Sequence, residues 1–370
     1  MRQEHADRTC GVVDVFGARW AIWGVAALVP PALATPPAPF TDPNSGIEFV
    51  LVDHASNPAY DGFDPFGNRV NGRGSVSYEY SIGKYEVTSG QWAEFFDAAL
   101  NRPDGPIPWV LAPFTTGGTA NPMLPTGGIT WRTAAVYCNW LTNNKSLDRS
   151  AFMNGAYDVS TFGYVGQTFT DQFTHNEGAT YWIPTWDEWL KAAHYDPWRE
   201  NGDGTTGGWW QYSTSSDVAP IYGPPPGFAG GSALNQANAG FDTAGNIQFQ
   251  IPLGAYDVTS PWGLYDTAGA TSEWTEEVAG LGTDLLSRMH EGSSWGNLNN
   301  LVSDVIWLSS GDVPSGVGFH HGFRIASSVP SASVLYVVIT SAAFAGVRRR
   351  RRQNGVCPCK TSRESSVRSP

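Results

Sequence analysis

The sequence predicts an α+β fold of short elements held together by long, ordered loops. Three observations carry this. Segments of strand character are short and separated by turn residues, and three amphipathic helices begin at recognisable caps. The 42 glycines and 26 prolines enforce frequent turns, while 16 Trp, 14 Tyr and 18 Phe supply a large aromatic core.

The elements follow in chain order. Arg19, the apolar run Trp20–Leu28 and Pro30-Pro-Ala-Leu-Ala34 predict a secretory signal peptide over residues 1–34. Ile47–Val52 and Val76–Ile82 read as strands. Ser89 is the expected cap of a helix that buries Trp92, Phe95, Phe96 and Leu100 on one face. A second helix starts near Thr130 with Ala134, Ala135, Cys138 and Leu141 inward, and a third is capped by Thr185, with Trp189, Leu190 and Ala193 inward. Residues 196–259 are rich in Gly, Pro, Asn and Ser yet carry scattered aromatics, which predicts ordered irregular backbone. The body spans 45–328.

After the body, Val329-Pro-Ser-Ala-Ser333, a 14-residue apolar run and Arg348–Arg352 form a C-terminal sorting signal or membrane anchor over 329–352. It resembles the PEP-CTERM class, with Val-Pro-Ser-Ala-Ser in place of Val-Pro-Glu-Pro, and implies a sorting or processing protease as partner. A disordered tail is expected over 353–370. Both ends predict export, to the cell envelope, surface or extracellular matrix.

Charge narrows the functions further. Residues 35–330 hold 11 Lys+Arg against 30 Asp+Glu, a net −19. Such a body repels phosphates, so no nucleic-acid partner is expected. Carboxylates in this number suit Ca²⁺. Cys138 is the one cysteine of the body, so no disulfide is expected there.

Six blocks in order resemble the formylglycine-generating-enzyme, or sulfatase-modifying-factor, family. They are Lys84-Tyr-Glu-Val-Thr88 with Trp92; Gly128-Ile-Thr-Trp131 running to Tyr137-Cys-Asn-Trp140; Tyr181-Trp-Ile-Pro-Thr-Trp-Asp-Glu-Trp189; Gly263-Leu-Tyr-Asp266 through Glu273-Trp274; Glu291-Gly-Ser-Ser-Trp295; and Gly322-Phe-Arg324. The resemblance spans about residues 47–326 and implies a variant C-type-lectin-like fold. Read on their own chemistry, Glu188 and Glu273 sit beside tryptophans and are expected to be structural acceptors for backbone N–H groups or a buried arginine, with Arg324 a natural partner.

The family's oxidases carry two cysteines after the Gly-Ser-Trp block, where soft thiolates hold copper(I). The corresponding positions here are Asn297 and Val302. Copper and formylglycine-generating oxidase activity are therefore not expected. His290, His320 and His321 fall near the family's active-site face. Neighbours in a strand point to opposite sides, so His320 and His321 are not expected to share one ion. The family's structural Ca²⁺ sites map onto Asn238, Asn246 (or Asp242) and Glu273, with Ala270 replacing one asparagine ligand. The expected role is a non-oxidase binding module for a glycan or surface protein. The alternatives are an enzyme of the non-haem iron grouping with an unidentified reaction, and a passive matrix component.

Overall fold

A computed structural model describes residues 36–67, 69–114, 121–240, 247–280, 286–296 and 304–328. The segments predicted as leader, sorting signal and tail lie outside the described residues. Among the described residues, no helix is long and apolar enough to cross a membrane.

The chain opens with β1 (Phe40–Thr41), β2 (Glu48–Val52) and β3 (Tyr80–Gly83), paired antiparallel in that order. The expected strand at Val76 begins only at Tyr80, because the preceding backbone serves a loop: Val76 and its neighbours bond the Asn57 side chain instead of a strand. Helix α1 (Ser89–Leu100) follows. Its cap is Thr88, not Ser89: Thr88 Oγ1 accepts from Gln91 N while the Gln91 side chain returns to Thr88 N, a reciprocal box that fixes the first turn. Trp92, Phe95 and Ala99 are its buried face; Phe96 and Leu100 are half-buried.

Helix α2 (Trp131–Thr142) is capped by Thr130 and buried along almost its whole length, so it forms the centre of the main core rather than a surface face. Short α3 (Arg149–Met153) packs on it. The hairpin β4 (Tyr164–Val165)–β5 (Thr168–Phe169) and β6 (Tyr181–Trp182) lead to α4 (Trp186–His194). Thr185 and Glu188 form a second reciprocal cap there. The Glu188 carboxylate also accepts from Trp182 Nε1 (3.1 Å) and Tyr78 OH (2.9 Å), which makes it the structural acceptor that its setting predicts.

The 196–259 region is described through Gly240 and again from Ile247. It starts as the hairpin β7 (Tyr195–Glu200)–β8 (Thr206–Trp209) and continues as turns. Next come β9 (Ser272–Gly280), β10 (Leu286–Glu291), β11 (Ser310–Asp312), β12 (His321–Gly322) and β13 (Ala326–Ser328). Two main sheets result. One runs β1-β2-β3-β13-β6, so the last strand is gripped between β3 and β6; the other runs β11-β10-β9-β12. The largest core cluster joins α1 and α2 to Trp182, Trp274, Phe323 and Ile325. It is an α+β arrangement with short elements, as the sequence predicts.

Tryptophan N–H groups in this core need partners, and those of Trp131, Trp274 and Trp189 have them. Trp131 Nε1 donates to Thr275 O (3.0 Å), Trp274 Nε1 to Ile129 O (2.6 Å) and Trp189 Nε1 to Glu273 (2.8 Å). That of Trp140 has none among the described residues.

Candidate functional site

The four-stranded sheet builds a polar pocket. Antiparallel pairing sets His290 of β10 opposite Trp274 of β9 and Ser310 of β11, while the parallel pairing of β12 sets His321 beside Ser272. The resulting cavity of about 260 Å³ is lined by Ser272, His290, Ser310, Asp312, His320 and His321, with Gly292 and Gly311. Its wall is almost entirely polar side chain and backbone.

Contrary to the strand-alternation argument, His320 and His321 lie together, their ring centroids 4.3 Å apart. The reason is local. His320 belongs to a turn closed by His321 N donating to Gly318 O (2.9 Å), and strand geometry begins only at His321. His290 is 4.5 Å from His321 and 6.4 Å from His320, centroid to centroid. Among the described residues, no three His, Cys, Asp or Glu side chains are placed to hold a metal ion.

Hydrogen bonding anchors the His290 ring. Ser272 Oγ lies 2.5 Å from His290 Nδ1 and 3.2 Å from Glu291 O. The hydroxyl can accept from Nδ1–H or donate to Nδ1, so the ring offers its other nitrogen, Nε2, to the pocket as either acceptor or donor. His321 Nδ1 is buried without a partner among the described residues. Burial, reinforced by the neighbouring imidazoles, pushes His290 down to about 3 and His321 to about 2; burial also lowers His320 against the pull of Asp312. The pocket at neutral pH is thus three neutral imidazoles, two serines and one aspartate.

Beside it lies a buried ionic centre. Arg324 Nε and Nη2 each bond one oxygen of Glu273 (2.5 and 2.5 Å), and the arginine also bonds Gly83 O and Tyr265 O. Arg324 is therefore the buried partner of Glu273. With Trp189 also bonded, about three of the four acceptor positions of that carboxylate are taken. Sequence reasoning missed the third member, Glu86 of the Lys-Tyr-Glu-Val-Thr block, whose carboxylate receives Thr271 N and Oγ1. Its only signal is a glutamate at the edge of an apolar strand.

The calcium candidates separate. Asn246, Asp242, Asn297 and Val302 lie outside the described residues. Asn238 is buried; its Nδ2 donates to Gln248 O (2.9 Å), and its Oδ1 is buried with no partner among the described residues. An orphaned amide oxygen beside irregular backbone has the chemistry of a hard-cation ligand, so Asn238 fits Ca²⁺. Glu273, committed to Arg324, fits less well. The backbone between them is close-packed: a Cβ on Gly269 (φ +89°) would stand 2.4 Å from Asn238 N. Ala270 follows at φ +58°, a conformation natural to asparagine and costly to alanine.

Cys138 is fully buried in α2, and burial pushes its thiol well above the usual range. It packs; it is not a nucleophile or a ligand.

The six blocks thus occupy consecutive structural roles, and a model of the family described as the sulfatase-modifying factor enzyme 1-like domain matches residues 71–329. The chain belongs to this sulfatase-modifying factor family. The fold is the family's C-type-lectin-like variant. Among solved structures, the chain is similar to CarF (19% identity, 77% of this chain and 100% of that one, TM-score 0.47). It is also similar to Treponema denticola variable protein 1 (18%, 79% and 100%, 0.49) and to PvdO from Pseudomonas aeruginosa (15%, 80% and 100%, 0.46). No curated protein matches the chain.

Proposed function

We propose that this family member is a non-oxidase binding module, exported and held at the cell envelope or surface by its C-terminal segment. The observation that carries the reading is chemical. Asn297 and Val302 stand where the family's redox thiols belong, and the remaining body cysteine, Cys138, is sealed in the core. A copper(I) centre needs soft thiolates that this body does not offer. What the chain presents instead is a polar pocket, with His290 Nε2, the Nδ1 of His321 that has no partner among the described residues, and the serine hydroxyls available to a hydroxylated ligand. A glycan or a polar segment of a surface protein matches these groups.

Calcium enters this reading as a structural ion held through Asn238 Oδ1, where it satisfies an otherwise orphaned buried oxygen and braces the irregular backbone around it. Three clustered imidazoles are the one feature favouring the alternative, a metal-dependent enzyme.

Metal analysis and thermal unfolding of the purified protein decide between them. We expect about one Ca²⁺ per chain and no stoichiometric copper or iron. EGTA should lower Tm by about 4–5 °C, the effect of removing a ligand present at about a hundred times its Kd from a domain of this size. Asn238→Ala should abolish the EGTA response. Stoichiometric iron or copper, or conversion of a cysteine peptide to formylglycine, would overturn the binding-module reading.

A further inference from the structure

A second cleft lies away from the histidine pocket, where the loop following Tyr60 faces the β7–β8 hairpin. It encloses about 410 Å³ and is lined by Tyr60, Asp61, Phe63, Arg199, Trp209 and Asp217, together with Gln211. Phe63 on its wall is 64% exposed, and Phe66, three residues on in the same loop, is 56% exposed. Both meet Trp307 edge to face, at centroid distances of 6.3 and 5.8 Å.

These rings are held in place rather than left loose. The Asp64 carboxylate accepts from Phe66 N (2.9 Å) and Val70 N (2.8 Å), which closes the loop on itself. Tyr60 OH donates to Phe63 O (3.0 Å), and Arg69 Nη2 reaches Ser309 O (3.1 Å) while its guanidinium lies 5.8 Å from the Phe66 ring. A pinned loop that displays two phenyl rings to water spends folding stability on a surface that the described residues leave largely uncovered.

The polar groups beside the rings say what the surface fits. Arg199 bonds Asp217 (2.6 Å) and stacks 3.8 Å over Trp210, so this pair is rigid. The side chains of Asp61 and Gln211 make no hydrogen bond among the described residues. Aromatic faces next to fixed carboxylate, amide and guanidinium groups complement a pyranose ring, whose C–H face packs on the aromatics while its hydroxyls bond the planar groups. A lipid surface would have to desolvate Asp61, and an acidic polymer would meet its unpaired charge.

We propose that this cleft is a saccharide-binding subsite for neutral or amino sugars, with Phe63 and Phe66 as the stacking platform and Asp61, Gln211 and the Asp217–Arg199 pair as the hydroxyl-bonding groups. It needs neither the histidine pocket nor calcium, so it stands or falls separately from the function proposed above.

Affinity electrophoresis of the full-length protein in detergent tests it, in native gels cast with hydroxyethyl cellulose, glycol chitin or alginate. Retardation is expected in at least one of the two non-acidic gels and none in alginate. The doubly substituted Phe63→Ala/Phe66→Ala protein should lose affinity by about tenfold or more, because both rings are exposed and their loss spares the fold; an unchanged Tm checks this. Asp61→Asn should weaken binding several-fold, whereas Val165→Ala, an exposed residue outside the cleft lining, should leave it unchanged. Absence of retardation in both non-acidic gels overturns the proposal, as does equal retardation of the wild type and the double variant. A double variant that turns a dimer into a monomer without any change in sugar binding also overturns it, by showing that the rings serve a second copy of the chain.

Discussion

Replacing Arg324 by alanine is expected to destabilise the fold by about 3–5 kcal/mol, the usual consequence of stripping the cation from a buried ion pair. Arg324 and Glu273 are 0% and 1% exposed at their side chains. The guanidinium ties three separate segments together: the Glu273 carboxylate on β9, Gly83 O at the end of β3 and Tyr265 O in the preceding loop. It is also the charge that favours ionisation of two further buried acids, Glu86 and Asp266, against the desolvation that pushes Glu86 well above the carboxylate range and Asp266 up to about 6. Without it, three carboxyl groups share one dry site and must take up protons to stay there. A raised acid pKa in the folded state gives stability that is present at low pH and lost as pH rises through the folded value. The Arg324→Ala penalty should therefore be larger at pH 8 than at pH 5.5. Urea unfolding at both pH values measures it, and Arg324→Ala/Glu273→Gln should recover part of the loss by removing the orphaned charge. A penalty below about 1 kcal/mol, or one independent of pH, would mean that Glu273 does not depend on this cation.

The same centre shows what sequence can and cannot reveal. A glutamate beside a tryptophan in an apolar block predicts a buried acceptor, and both Glu188 and Glu273 are such acceptors. Helices were legible because their caps are local: Thr130 and Thr185 announce themselves, and the Thr88-Ser-Gly-Gln91 pattern would have placed the first cap one residue earlier than Ser89. The histidine pocket was legible only as three histidines near one face, not as a cluster. It depends on a two-residue strand, His321–Gly322, pairing in parallel with Ser272–Glu273 nearly fifty residues upstream, and on a turn that ends at His320. No periodicity records such a contact, and the alternation rule misled because it was applied across the turn–strand boundary. Glu86 escaped for a similar reason, since its partner Thr271 is distant in sequence.

Neutral burial of the pocket histidines should make the fold sensitive to acid, with a sign opposite to that of the Arg324 site. His290 is pushed down to about 3 and His321 to about 2, chiefly by burial. For a base whose folded pKa is depressed, stability is complete above the unfolded value near 6.5 and is lost as pH falls below it, because the unfolded chain binds the proton first. Each such histidine costs about 1.4 kcal/mol per pH unit over that window, or about 2 kcal/mol between pH 6.5 and pH 5. His194, lowered to about 3 by burial, adds to the slope, whereas the raised carboxyls Asp266, Glu188, Glu291 and Asp304 work against it. The whole-protein profile is thus blunted, and the informative quantity is a difference. His290→Asn keeps an amide N–H for Ser272 while removing the titrating group. Its stability deficit relative to the wild type should shrink by about 2 kcal/mol as pH falls from 7.5 to 5, and could reverse. A constant deficit would show that burial does not depress His290, and one that grows as pH falls would show that the fold favours its protonated form. The pocket would then be cationic, and its ligand an anion instead of the hydroxylated compound that neutral imidazoles and serines suit.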